Sequence, residues 1–114
     1  MPVSADEVRR LALALPQALE ADHHGTPSFR VAGKIFATLN YPDSSRAMVK
    51  LKPEQQAEFV HDYPEAFSPS AGAWGRQGST SVHLAKARKA EVQRALQAAL
   101  QNAEVASLKS KRKR

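Results

Sequence analysis

Apolar positions recur at helical spacing in three stretches of the chain and at strand spacing in most of what lies between. Val8, Leu11, Ala12 and Leu15 fall on one helical face, a stripe that Pro16 ends. Ser4 with Glu7 three residues on makes a capping box ahead of that stripe, so a first helix is expected over about 5–15. A second is expected over about 53–62, with Pro53 at the first helical position and Ala57 with Val60 or Phe59 facing inward. Val92, Leu96, Ala99 and Leu100 mark a third. It should start near 86–89 and end near Asn102, with the remainder fraying.

Between these helices the period shortens to two. Leu19 to Asp22 reads as a short strand, and 24–27 (HGTP) as a turn. Ser28 to Ala32 and Ile35 to Tyr41 read as two strands joined by a tight turn at Gly33-Lys34. Phe29 and Val31 share one face of the first, and Ile35, Ala37 and Leu39 share one face of the second. After a turn at 42–45, Ala47 to Leu51 is a further strand. Residues 64–73 read as loop or short extended chain. Thr80 to Leu84 is a strand with Val82 and Leu84 on one face and His83 on the other. Consecutive strands with short turns give a mainly antiparallel sheet, and helices packed on one face of it make an α+β domain. One domain over 1–104 and a basic C-terminal tail over 105–114 account for the whole chain.

Composition changes this picture in two ways. The chain has 114 residues and no cysteine, which removes thiolate nucleophiles, zinc–thiolate sites and disulfides, and fits a reducing cytoplasm. No apolar run approaches the roughly 20 residues that span a bilayer, and the charged, amphipathic start MPVSADEVRR is unlike a signal peptide. The net charge of +6 is unevenly placed. Lys109, Lys111, Arg112, Lys113 and Arg114 supply five of the 17 basic residues, and the rest of the chain holds 12 against 11 acidic ones. The tail therefore supplies sequence-independent attraction to polyanions, or is simply a solvated end.

Residues 72–84 (GAWGRQGSTSVHL) hold the densest candidate chemistry. Three of the five glycines and the only tryptophan stand within seven residues, with Arg76 and Gln77 between them. The segment reads as an exposed hairpin tip or wing feeding a strand, with Gly72, Gly75 and Gly78 permitting sharp turns. Trp74 either closes over a core edge or stacks on a base or partner. Arg30 and Lys34 lie around the predicted hairpin turn, and Lys50 and Lys52 share one face of the next strand. With Arg76 they either contact phosphates or solvate the outer face of the sheet. A guanidinium and an amide such as Arg76 and Gln77 suit guanine and adenine edges respectively.

Other chemistries find less support. Adjacent histidines on a strand point to opposite faces. A metal would therefore need His23 or His24 to meet His61 or His83 in space, and no HxH, HxxxH or HExxH spacing is present. Ser28 and Ser79 are the serines an enzyme would recruit, but serines at turns usually bond to the local backbone. No nucleophile elbow, phosphate-cradling glycine loop or dinucleotide fingerprint occurs. No catalytic residue, metal or cofactor is expected.

Four segments occur in order with short spacers: 29–39 (FRVAGKIFATL), 48–55 (MVKLKPEQ), 64–69 (PEAFSP) and 75–84 (GRQGSTSVHL). From about Ala5 to Leu100 the chain thereby resembles the MmcQ/YjbR family of small bacterial proteins. That resemblance implies a CyaY-like α+β fold and a DNA-binding function with a double-wing arrangement of hairpins, and it brings no catalytic residues. Many members carry a tryptophan after the second glycine of the G-R-x-G element, where this chain has Ser79 and carries Trp74 upstream instead. The expected partner is double-stranded DNA, held on phosphates by Arg30, Lys34, Lys50, Lys52, Arg76 and the tail. The other expectation is a non-enzymatic protein- or small-ligand-binding module that uses the Trp74 region. No membrane partner is expected, and the oligomeric state is not legible.

Overall fold

The computed structural model of the chain describes residues 3–23, 25–40 and 43–112. The elements are α1 (Ala5–Leu13), β1 (Leu19–His23), β2 (Thr26–Val31), β3 (Lys34–Leu39), β4 (Arg46–Lys50), α2 (Pro53–Asp62), β5 (Phe67–Pro69), α3 (Gly72–Arg76), β6 (Ser79–His83) and α4 (Lys89–Arg112). The six strands form one sheet in the order β1-β2-β3-β4-β6-β5, and every neighbouring pair is antiparallel. This is the α+β class that the consecutive short strands imply.

The start of α1 follows from its capping box. The Ser4 hydroxyl accepts from the Glu7 N–H at 3.1 Å, and the Glu7 carboxylate accepts from the Ser4 N–H at 3.1 Å. These two bonds satisfy donors that a helix start otherwise leaves open. Val8 and Ala12 are buried, and Leu11 and Leu15 pack against the core from its margin.

The β2–β3 hairpin turns at Ala32-Gly33, one residue earlier than the sequence suggests, so Lys34 heads β3. Both turn residues have positive φ, 51° and 79°, as a two-residue turn matched to the right-handed twist of the strands requires. A register shift follows: Phe29 pairs with Ala37 and Arg30 with Ile35. Phe36, between those two partners, has none across β2 and enters the core instead. The expected grouping of Ile35 with Ala37 and Leu39 fails here, because a bulge changes which face a side chain takes. Beyond it, Ala37 pairs with Val49 and Leu39 with Ala47, four buried residues on the core face. Arg46, Met48 and Lys50 alternate with them onto the other face.

Three helices cover the core face. On α4 the buried stripe runs Val92, Ala95, Leu96, Ala99, Leu100 and Ala103, and its alanines let the helix lie close over β2, β3 and β4. From α2, Phe59 and Val60 pack against the core, while Ala57 is exposed, contrary to expectation. The rings of Phe59, Tyr63 and Phe67 cluster with centroids 5.0–6.3 Å apart, and the Arg94 guanidinium lies 5.4 Å from the Tyr63 ring centre.

The C-terminal end corrects one expectation. α4 does not stop at Asn102 but continues to Arg112. The apolar letters thin out there, yet Ala103 and Ser107 remain buried at 8% exposure each, and no glycine or proline intervenes. Basic residues in a last helical turn are also favoured by the helix dipole. Among the described residues no helix is long and apolar enough to cross a membrane.

Candidate functional site

A cleft of about 570 Å³ opens where the β2–β3 hairpin, the join of β4 to α2, and α4 meet. The hairpin contributes Arg30, Gly33, Lys34 and Ile35, the β4–α2 join contributes Lys50 to Pro53, and Gln77 closes one side. Ala99, Asn102, Ala103 and Ala106 of α4 form the opposite wall. Four of the five cations singled out within the domain thus converge on one concavity. No carboxylate lines it, and among the described residues none of Arg30, Lys34, Lys50 and Lys52 takes part in an ion pair. Lys34, Lys50 and Lys52 are exposed and Arg30 is half-buried, its Nε 3.5 Å from the Ser28 hydroxyl. Like charges held around one cavity raise its positive potential, and an anionic ligand relieves their repulsion.

Long-range contacts place these side chains. Asn102 Nδ2 of α4 donates to the Lys50 carbonyl at 3.2 Å and to Gln55 Oε1 at 2.8 Å. Gln55 Oε1 also accepts from the Lys52 N–H at 2.9 Å. On the other side the Leu51 N–H donates to the Gly78 carbonyl at 3.2 Å. The glycines permit this approach: a Cβ on Gly78, at φ 112°, would stand 1.9 Å from the Leu51 oxygen, and one on Gly75 would stand 1.8 Å from the Ser70 oxygen. Gln56 Nε2 reaches the Gly75 and Ser79 carbonyls, both at 2.9 Å. Gln77 is thereby held beside Lys52.

The 72–84 segment is not a hairpin tip. Gly72–Arg76 forms the short helix α3, which lies between β5 and β6. Packing of Gly75 and Gly78 against neighbouring backbone, rather than turn geometry alone, explains the glycine cluster. Trp74 does not close over the core; it is 65% exposed. It rims a second cavity of about 470 Å³ on the sheet face opposite α4, with Thr38, Met48 and Ser81 beneath it and Arg46 beside them. Lys50 and Ile35 line both cavities. Arg76 is exposed and lines neither, so it stands apart from the other four cations.

Two buried polar atoms near Trp74, Ser81 Oγ and Arg46 Nε, have no hydrogen-bond partner among the described residues. Arg46 Nε lies 4.0 Å from an Asp43 carboxylate oxygen, beyond hydrogen-bond reach. Asp43 itself accepts from the Ser45 hydroxyl at 2.5 Å and the Ser45 N–H at 2.9 Å. Those bonds hold its carboxyl below the usual carboxylate range, with smaller help from the Arg46 and His83 charges.

The remaining candidates are dispersed. Lys109, Lys111 and Arg112 belong to the last turns of α4, whereas Lys113 and Arg114 lie outside the described residues. The Ser28 hydroxyl donates to the Ala21 carbonyl at 3.0 Å, and the Ser79 hydroxyl is 3.1 Å from that of Ser70. Among the described residues no group of three or more histidine and acidic side chains is placed to hold a metal; His24 lies outside them. Reading the sequence alone overlooks Arg46, Ser81, Gln55 and Asn102. Alternation with Met48 and Lys50 is the signal that places Arg46 on the outer face, whereas nothing local marks Asn102.

A family model described as YjbR matches residues 13–102. A Deinococcus radiodurans protein of known crystal structure, with a domain described as DUF419, superposes with a TM-score of 0.68 at 19% identity, covering 84% of this chain and 75% of its own. That likeness shows the fold. No curated protein matches the chain.

Proposed function

The chain belongs to the YjbR family, and from that premise we propose that it is a DNA-binding module that holds the sugar–phosphate backbone in the basic cleft. One observation carries this reading: cations from the hairpin and the β4–α2 join surround one cavity that no carboxylate lines. Arg30, Lys34, Lys50 and Lys52 contact phosphates, which fixes the protein on the strand without reading sequence. Gln77 is the amide placed to meet a base edge. Of the two wings expected from the resemblance, the β2–β3 hairpin supplies one, and α3 stands where the second was expected. The basic end of α4, which continues the helix that walls the cleft, adds non-specific attraction. We read the module as a binder rather than a catalyst.

The exposure of Trp74 favours a second reading, a protein- or small-ligand-binding module centred on that side chain. Titrating fluorescent duplex DNA with the full chain at two salt concentrations separates the two. Phosphate binding gives an affinity that falls steeply with salt. Lys50→Ala should weaken binding alike on unrelated sequences and reduce the salt slope by about one. Arg76→Ala should change it less, because Arg76 lies outside the cleft. An affinity indifferent to salt and to Lys50 leaves the second reading standing.

A further inference from the structure

We propose that the cavity under Trp74 takes the base of an unpaired nucleotide whose neighbouring phosphates lie in the basic cleft. The protein would then prefer single-stranded or locally opened DNA to intact duplex. This deepens the phosphate-cleft reading and rests on it.

The two cavities adjoin, since Lys50 and Ile35 line both. A strand lying along the cleft therefore has a second, differently built pocket beside its backbone. That pocket presents what a base uses. Trp74 offers an exposed aromatic face for stacking, worth making with any base because every base has a π-face. Met48, the cross-strand neighbour of Ser81 and Thr38, and Ile35 supply apolar surface beside the polar groups. No carboxylate lines the pocket, and the Asp43 carboxylate near it is paired with Arg46 at 4.0 Å. Its volume of about 470 Å³ lies within the range of small-ligand sites.

The polar lining makes the case more specific. Ser81 is only 5% exposed, and its hydroxyl has no partner among the described residues. Folding has removed the Ser81 hydroxyl from water without giving it a hydrogen bond, a penalty that a ligand with donors and acceptors removes. Arg46, whose side chain is 39% exposed and paired with Asp43 at 4.0 Å, keeps only its Nε covered and without a hydrogen bond. A base edge carries both kinds of group: the hydroxyl can serve either, and the guanidinium can donate to a ring nitrogen or carbonyl oxygen. A base stacked inside a duplex cannot enter such a pocket without leaving its stack, which gives the preference for unpaired strands.

Trp74 is the only tryptophan, so its fluorescence reports on the pocket directly. The full chain is titrated with a short oligothymidylate, with a duplex of equal length, and with an abasic strand of the same phosphate count, all at one salt concentration. Thymidine monophosphate is a fourth arm. The oligothymidylate should bind more tightly than the duplex and quench Trp74, while the abasic strand binds without quenching. By anisotropy of a labelled strand, Trp74→Ala should cost about tenfold on oligothymidylate and leave duplex and abasic binding unchanged, with Trp74→Phe retaining most of the affinity. Trp74 is largely exposed, so the fold should survive both changes. Equal binding of normal and abasic strands, unaffected by Trp74→Ala, overturns the base pocket and leaves the phosphate cleft intact. Failure of every strand to bind overturns both. Thymidine monophosphate binding as tightly as the strand overturns the assignment to a strand and makes the pocket a small-ligand site.

Discussion

Gly78 has a backbone oxygen where a side chain would begin, 1.9 Å from its ideal Cβ, and its φ is 112°. Neither Leu51 nor the left-handed backbone can yield cheaply, so Gly78→Ala should cost at least about 2 kcal/mol, read as a drop in thermal midpoint. Gly25→Ala is the control: its φ is 84° but nothing lies within 4 Å of its Cβ, so only the backbone cost of about 1 kcal/mol applies. The glycine cluster was legible in the letters, but its cause was not, because Leu51 lies far from Gly78 in sequence. The letters left Trp74 open between a core edge and an exposed stacking surface for a related reason: a run of small neighbours says nothing about which side of the sheet the segment takes, and the fold leaves it exposed. Asp43 gives a pH signature at this scale. Its folded pKa is lowered by the Ser45 hydroxyl and N–H. The stability this confers is present above the ordinary carboxylate pKa and is lost as pH falls through the lowered value. Asp43→Asn should therefore flatten the acid limb of the thermal midpoint against pH and leave the neutral region nearly level.

The β2–β3 hairpin and α4 are the elements that build the cleft. Ala32 holds φ at 51°, a conformation alanine adopts at a cost and asparagine tolerates. Ala32→Asn, giving Asn-Gly at the turn, should stabilise the domain by roughly 0.5–1 kcal/mol while leaving salt-dependent DNA binding unchanged, since no charge moves. A loss of binding with gained stability would mean that the hairpin must flex to engage its ligand. Most of the strands and the first two helices were legible because period, caps and prolines act locally, whereas β5 and α3 were not told apart from the loop expected over 64–73. The bulge at Phe36 and the full length of α4 were not. Both depend on what the sheet accepts: Phe36 finds space in the core, and Ser107 stays covered although its letter is polar.

At the scale of the molecule, the sequence shows a domain of nearly balanced charge with a basic end, and the fold makes that balance local. Arg9 pairs with Asp6 and Glu20, and Arg46 lies nearest Asp43, whereas the four cleft cations face one another across a space without acids. Antiparallel register brings Lys34 and Lys52 to the same opening, a distribution that no count of residues contains. The most direct test is the salt dependence of duplex binding in two variants of the full chain. One replaces Arg30, Lys34, Lys50 and Lys52 with glutamine, and the other replaces Lys109, Lys111, Arg112, Lys113 and Arg114 with glutamine. Four phosphate contacts in the cleft should lower the magnitude of the log–log slope by about three to four in the first variant, and the second should keep that share of the slope. Binding that survives the first set of changes and vanishes with the second contradicts the cleft and assigns DNA to the C-terminal charges alone.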